Sequence, residues 1–172
     1  MEKQEELNHF ITNISELWNS QDFNNVLEEV KQKLIDSAIP VEEWSVNQID
    51  KDGPGIYCFW YEGDKLDLKR FKDSYLKDSS ELSVSKPTAK WYNMNKSTIP
   101  IGNNLVNAYS FYLGKRESVL NRISQHIGTI KSSKSTYGMH LKRNHTLTGK
   151  LYVGYWMLPF KIVQPLDKYV LQ

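Results

Sequence analysis

The chain has 172 residues, 40% of them apolar, and a net charge of +2; that length supports one well-buried core and leaves little room for two full domains. Its one cysteine, Cys58, excludes a disulfide framework and a cysteine-built zinc site. No run approaches the roughly 20 apolar residues of a membrane span, and Met1 to Glu6 lack the pattern of a secretory leader, so a cytoplasmic setting without membrane association is expected.

Leu7, Phe10, Ile11, Ile14, Leu17 and Trp18 recur at spacings of three and four, which predicts a helix over residues 4–19. After Asn19 to Asp22, the positions Phe23, Val26, Leu27, Val30, Leu34 and Ile35 predict a second helix, closed by Pro40. The two form an N-terminal hairpin over residues 1–45. Residues 1–52 carry 12 acidic and 4 basic side chains, so the hairpin is either a structural cover over the sheet or an acidic surface, for a protein partner or as a mimic of nucleic-acid charge.

Asp52-Gly53-Pro54-Gly55 is a turn signal that opens onto a buried strand, Ile56 to Tyr61. Residues 62–107 lack sustained periodicity and read as an insertion with one helix near Leu66 to Leu76. Within it, Trp91, Tyr92, Asn93 and Lys96 suit either nucleotide contacts or a small packed flap. Ala108 to Leu113 predicts a second strand ending at Gly114. In Glu117 to Ile127, Val119, Leu120, Ile123 and Ile127 mark one helical face, with Gly128 placed to end the helix. Arg122 and His126 stack one turn apart at the border of that face. Thr136 to Leu141 predicts a short helix, Leu151 to Leu158 a third strand, and Leu166 to Gln172 the start of a helix that the chain does not complete. The fold class is α+β.

The charge is uneven. Residues 110–150 carry eight Lys and Arg against Glu117 alone. Cations gathered on one surface suit a phosphate backbone, because neutralising phosphates releases condensed counterions. Arg116, Lys131, Lys134, His140, Lys142 and Arg143 are the expected nucleic-acid contacts in this segment; the alternative is a solvated helix face. Phosphodiester hydrolysis needs an activated nucleophile and neutralised phosphoryl oxygens, and a guanidinium such as Arg122 meets those oxygens bidentately where a lysine cannot.

Gly55-Ile56-Tyr57, Tyr112-Leu113-Gly114, Lys115, and Arg122 followed by His126 occur in the order of a metal-dependent nuclease. On these residues the chain resembles the GIY-YIG nuclease superfamily, by motif over residues 53–128 and more loosely to the end. The resemblance implies a three-stranded antiparallel sheet flanked by helices, here preceded by the helical hairpin, with residues 46–172 as the nuclease-like domain. It implies endonuclease activity on nucleic acid, DNA favoured, with one divalent metal, Mg2+ or Mn2+. Tyr57 matches the tyrosine that acts as base or orients water, Tyr112 the tyrosine lining the same site, and Gly55 and Gly114 the motif glycines. Arg122 matches the phosphate-stabilising arginine, His126 the residue one turn later, and Lys115 the lysine of repair-type members. The sequence departs from the family at the metal ligand: it has no glutamate after Glu117, and Asp167 is the only later carboxylate. The rival expectation is a silent nucleic-acid-binding protein of the same lineage. Tyr152-Val153-Gly154 repeats the second motif, but no Arg-x-x-x-His follows it, which leaves it to the third strand.

Overall fold

A computed structural model describes residues 20–45, 52–81, 96–131, 138–143 and 145–158, with the single positions 9, 12 and 16, and the backbone alone at 23 and 75–81. The first expected helix, the Trp91 to Asn93 segment, Lys134, Asp167 and the terminal helix lie largely or wholly outside the described residues. The chain divides into two compact units, Met1–Lys33 and Leu34–Gln172. Unit 1 holds most of α1 (Gln21–Asp36), the second expected helix. Its exposed pairs Lys31 with Glu28 and Lys33 with Glu29 add little stability, since solvent screens them. The unit boundary falls before the expected domain boundary at residue 45, because Leu34, Ala38, Val41 and Trp44 are core residues of unit 2.

Unit 2 is built around β2 (Gly55–Glu62), whose run Gly-Ile-Tyr-Cys-Phe-Trp-Tyr is buried on both faces. Such a run is apolar at nearly every position because neither face meets water. It pairs antiparallel with β4 (Asn104–Arg116) on one side and β5 (Lys150–Met157) on the other. The edges are β1 (Ile39–Pro40), beside β5, and β3 (Lys96–Ile101), beside β4, giving the order β1-β5-β2-β4-β3. The three expected strands are the inner three of five. The two missed strands are edge strands, each containing a proline, Pro40 or Pro100, and such positions need no ladder N–H on their outer side. Gly102, at φ 58°, begins the two-residue turn from β3 to β4.

One face of the sheet carries Tyr57, Phe59, Tyr61, Phe111, Leu151 and Val153. It packs with Leu68 and Phe71 of α2 (Lys65–Glu81) and with Val119, Leu120, Ile123 and Ile127 of α3 (Val119–Ile127). The opposite face carries Cys58, Trp60, Ile99, Ala108 and Tyr152, packed with Leu34 and Ala38. Side chains alternate between faces, so Ala108 and Ser110 of β4 share a face with Trp60, and unbroken alternation would put Tyr112 there too. A β-bulge at Phe111 prevents this: Trp60 pairs with Ser110, whereas Phe59 pairs with Tyr112. The extra residue reverses the parity, and Tyr112 joins Tyr57 on the α3 face.

The expected helix over Thr136 to Leu141 is not observed in its described part. Residues 138–140 carry no helix, and a single 3-10 turn spans Leu141–Arg143. The segment is an irregular strap instead, because Met139 and Leu141 both enter the core while Gly138 lies against the α3 backbone.

Candidate active site around Tyr57

The helix carrying Arg122 and His126 is tied to the start of β2 through Asp52. Ser118 occupies the N-cap position of α3 but makes no capping bond of its own. Its hydroxyl donates to the Asp52 carboxylate, which accepts the N–H groups of Leu120 at 2.9 Å and Asn121 at 3.2 Å. Those are the donors that an N-cap side chain ordinarily takes. Val119 N–H also donates to the Gly53 carbonyl at 3.1 Å. At the other end Gly128 stops the helix in the left-handed conformation, φ 89°, as expected. Trp44 donates from its indole nitrogen to the buried Ser124 hydroxyl at 3.0 Å and meets Tyr155 edge-on, fastening the same helix from a second side.

Tyr57 is 1% exposed and faces Gly114 across the ladder. A Cβ on Gly114 would lie 2.2 Å from the Tyr57 Cζ, so the second-motif glycine is the floor on which the first-motif ring rests. A Cβ on Gly55 would lie 2.3 Å from the Trp156 carbonyl oxygen, which explains the first-motif glycine by close backbone approach. Tyr112 stacks beside Tyr57 with ring centroids 6.0 Å apart and planes at 28°, and lies 4.8 Å from the His126 ring.

The Tyr57 hydroxyl is 3.0 Å from His126 Nε2, and Met139 N–H donates to His126 Nδ1 at 3.3 Å. Tyr112 and Arg122 also hydrogen-bond the Tyr57 phenol, the first raising its pKa and the second lowering it. Burial dominates and pushes the Tyr57 pKa well above its usual value, with the charge of Tyr112 adding to the rise. His126 is fully buried, and burial first, then Arg122, Arg116 and His140, hold its pKa well below 6.5. The imidazole is therefore neutral at pH 7.

Tyr57, Tyr112, Arg122 and His126 thus come together. Lys115 does not join them: it pairs with Ile56, and the register puts it on the opposite face of the sheet. Arg116, expected only as a nucleic-acid contact, pairs with Gly55 on the Tyr57 face and acts on His126 through its charge. The period-two pattern Tyr112, Gly114, Arg116 carries that distinction in the sequence. His140 belongs to the strap and also acts on His126, while Lys131, Lys142 and Arg143 are exposed. Sequence reading missed Asp52 and the Met139 N–H. Asp52 read only as part of a turn, and its partners lie more than 60 positions away; a backbone donor leaves no residue signature at all.

A hard divalent cation takes oxygen ligands, carboxylates foremost. Among the described residues no group of three or more His, Cys, Asp or Glu side chains could hold an ion. The partners of Tyr57 are a phenol, a guanidinium and an imidazole. This donor set does not fit Mg2+ or Mn2+. No helix among the described residues is long and apolar enough to cross a membrane. No family model, curated protein or solved structure matches the chain.

Proposed function

We propose that the protein is a GIY-YIG-type endonuclease that hydrolyses nucleic-acid phosphodiester bonds, with DNA the favoured substrate. The observation that carries the reading is the convergence of both motif tyrosines with Arg122 and His126 on one sheet face, from two adjacent strands and the helix that follows. The antiparallel sheet with α2 and α3 on one face supports the reading, although the sheet has five strands where the resemblance implies three. A cytoplasmic setting and a protein partner for the acidic N-terminal segment belong to the same proposal.

Burial divides the roles. Substrate cannot reach Tyr57, whereas Tyr112 and Arg122 are half-buried and open toward solvent. Tyr112 and Arg122 are therefore the catalytic residues, and Tyr57 and His126 the positioning ones. Tyr57 keeps its proton at neutral pH and donates it as a hydrogen bond to the Tyr112 oxygen, turning the Tyr112 O–H outward to orient the attacking water. Arg122 takes the phosphoryl oxygens, and its N–H to Gln125 Oε1 at 3.0 Å fixes the plane of the guanidinium. The roles above use protein groups alone, since the groups around Tyr57 do not fit the Mg2+ or Mn2+ that the resemblance implies. The test is cleavage of an end-labelled duplex by Arg122→Lys: loss of about 100-fold or more supports bidentate phosphate contact, and an unchanged rate contradicts it.

A second reading, nucleic-acid binding without cleavage, is favoured by one observation, the lack of a metal-ligand cluster among the described residues. Salt-sensitive binding with no cleavage product would select it.

A further inference from the structure

We infer that the Gly138–His140 strap is a positioning element: it fixes the direction of the hydrogen bond between His126 and Tyr57, so that the imidazole donates and the phenol oxygen accepts. The inference rests on the nuclease reading for its purpose, though not for its geometry.

A neutral imidazole has one donor nitrogen and one acceptor. Met139 N–H points at Nδ1 from 3.3 Å, which makes Nδ1 the acceptor and leaves the proton on Nε2, 3.0 Å from the Tyr57 oxygen. In the other tautomer, Nδ1–H would face the Met139 N–H, two donors meeting at a fully buried site with neither satisfied. The imidazolium would meet the same clash, and burial beside Arg122 and Arg116 also disfavours it.

The strap is built for this approach. A Cβ on Gly138 would lie 2.3 Å from the Gln125 carbonyl oxygen and 3.0 Å from its carbon, so a larger residue would push the chain off α3. Met139 and Leu141 anchor the strap in the core. His140 adopts φ 50°, a left-handed conformation that a non-glycine residue keeps only where its surroundings impose it. Its Cα sits 3.4 Å from where a Gly128 Cβ would be, so the strap is seated against the last turn of α3 at both of its ends.

The tautomer decides what Tyr57 does. A phenol oxygen accepts twice and donates once. With His126 and Arg122 donating to it, the proton of Tyr57 is committed to Tyr112. With the tautomer reversed, Tyr57 would donate to His126, and Tyr112 would lose the bond that turns its hydroxyl outward.

The experiment is a two-bond nitrogen–proton correlation spectrum of the full chain with isotope-labelled histidine, assigned with His126→Gln. The expected result is a single His126 tautomer protonated at Nε2, and, in folded Gly138→Ala, a resolved second population protonated at Nδ1. An Nδ1–H tautomer or an imidazolium in the unaltered chain overturns the inference. So does an unchanged tautomer in folded Gly138→Ala. If Gly138→Ala does not fold, a chain carrying the α-hydroxy-acid counterpart of Met139, which replaces that N–H by an ester oxygen, is read for the same two outcomes. The spectrum is recorded without DNA, so failure here is distinct from failure of cleavage.

Discussion

Tyr57 and Gly114 occupy one volume between them, and that shared volume is the physical content of the two tripeptides. Gly114→Ala puts a methyl group 2.2 Å from the Tyr57 ring, so the ring must leave its place beside His126. Overpacking of this kind costs about 1–3 kcal/mol, read as a lower urea midpoint with cleavage lost; an unmoved midpoint would contradict the packing account. Gly154, in the strand segment that mimics the second motif, has a different reason to be glycine, since its Cβ would lie 2.0 Å from the Leu34 carbonyl oxygen. His126 also leaves a signature in pH. Its folded pKa is depressed, whereas in the unfolded chain it binds a proton below about pH 6.5. The unfolded state then holds more protons, so its contribution to stability is complete above about pH 6.5 and is lost as pH falls. The slope from this residue reaches at most about 1.4 kcal/mol per pH unit. Urea titrations from about pH 7 to 5 should show it, and should show less of it in His126→Gln; equal slopes would mean that His126 is not buried neutral.

At the scale of elements, the helix with Arg122 and His126 is placed by a carboxylate on another element. Asp52→Ala removes the acceptor for the Leu120 and Asn121 N–H groups and should cost about 0.5–2 kcal/mol, the usual loss for a helix cap. Nuclease activity should fall with it, because the start of α3 is freed from β2, and Asp52→Asn should retain more of both. A melting point unchanged in Asp52→Ala would show that the cap is not worth its geometry. The elements were legible to different depths. Ile56 to Tyr61 and Leu151 to Leu158 read as strands because their aromatic and β-branched runs have no other stable use, and α3 read as a helix because Val119, Ile123 and Ile127 share a face. The bulge at Phe111 did not read: it inserts one residue into an otherwise ordinary strand, and only the pairing with β2 reveals it. Lys115 matches the lysine of repair-type members in sequence, but strand alternation sends it to the other face.

Over the whole molecule, what the sequence showed best was the α+β class and the order of the motif residues; what it could not show was long-range linkage, of which Asp52 with α3 and Met139 with His126 are the two cases that matter. The charge pattern is a property at this scale as well. Eight Lys and Arg fall in residues 110–150, and several of them, Lys131, Lys142 and Arg143 included, are exposed. Affinity for duplex DNA should therefore fall linearly with the logarithm of salt, and replacing Lys142 and Arg143 together by alanine should reduce the slope by about 2. A slope unaltered in that variant would remove these two residues from the binding surface.

The central claim is that Tyr57, Tyr112, Arg122 and His126 form one phosphodiester-cleaving site. The most direct measurement is nicking of supercoiled plasmid at low salt with Mg2+ or Mn2+, comparing the unaltered chain with Tyr112→Phe, Tyr57→Phe and Arg122→Ala, each shown to be folded. Nicking by the unaltered chain is expected, lost in Arg122→Ala and Tyr112→Phe, and weakened in Tyr57→Phe. A folded, DNA-binding chain that leaves the plasmid intact, or nicking that persists in Arg122→Ala, would contradict it.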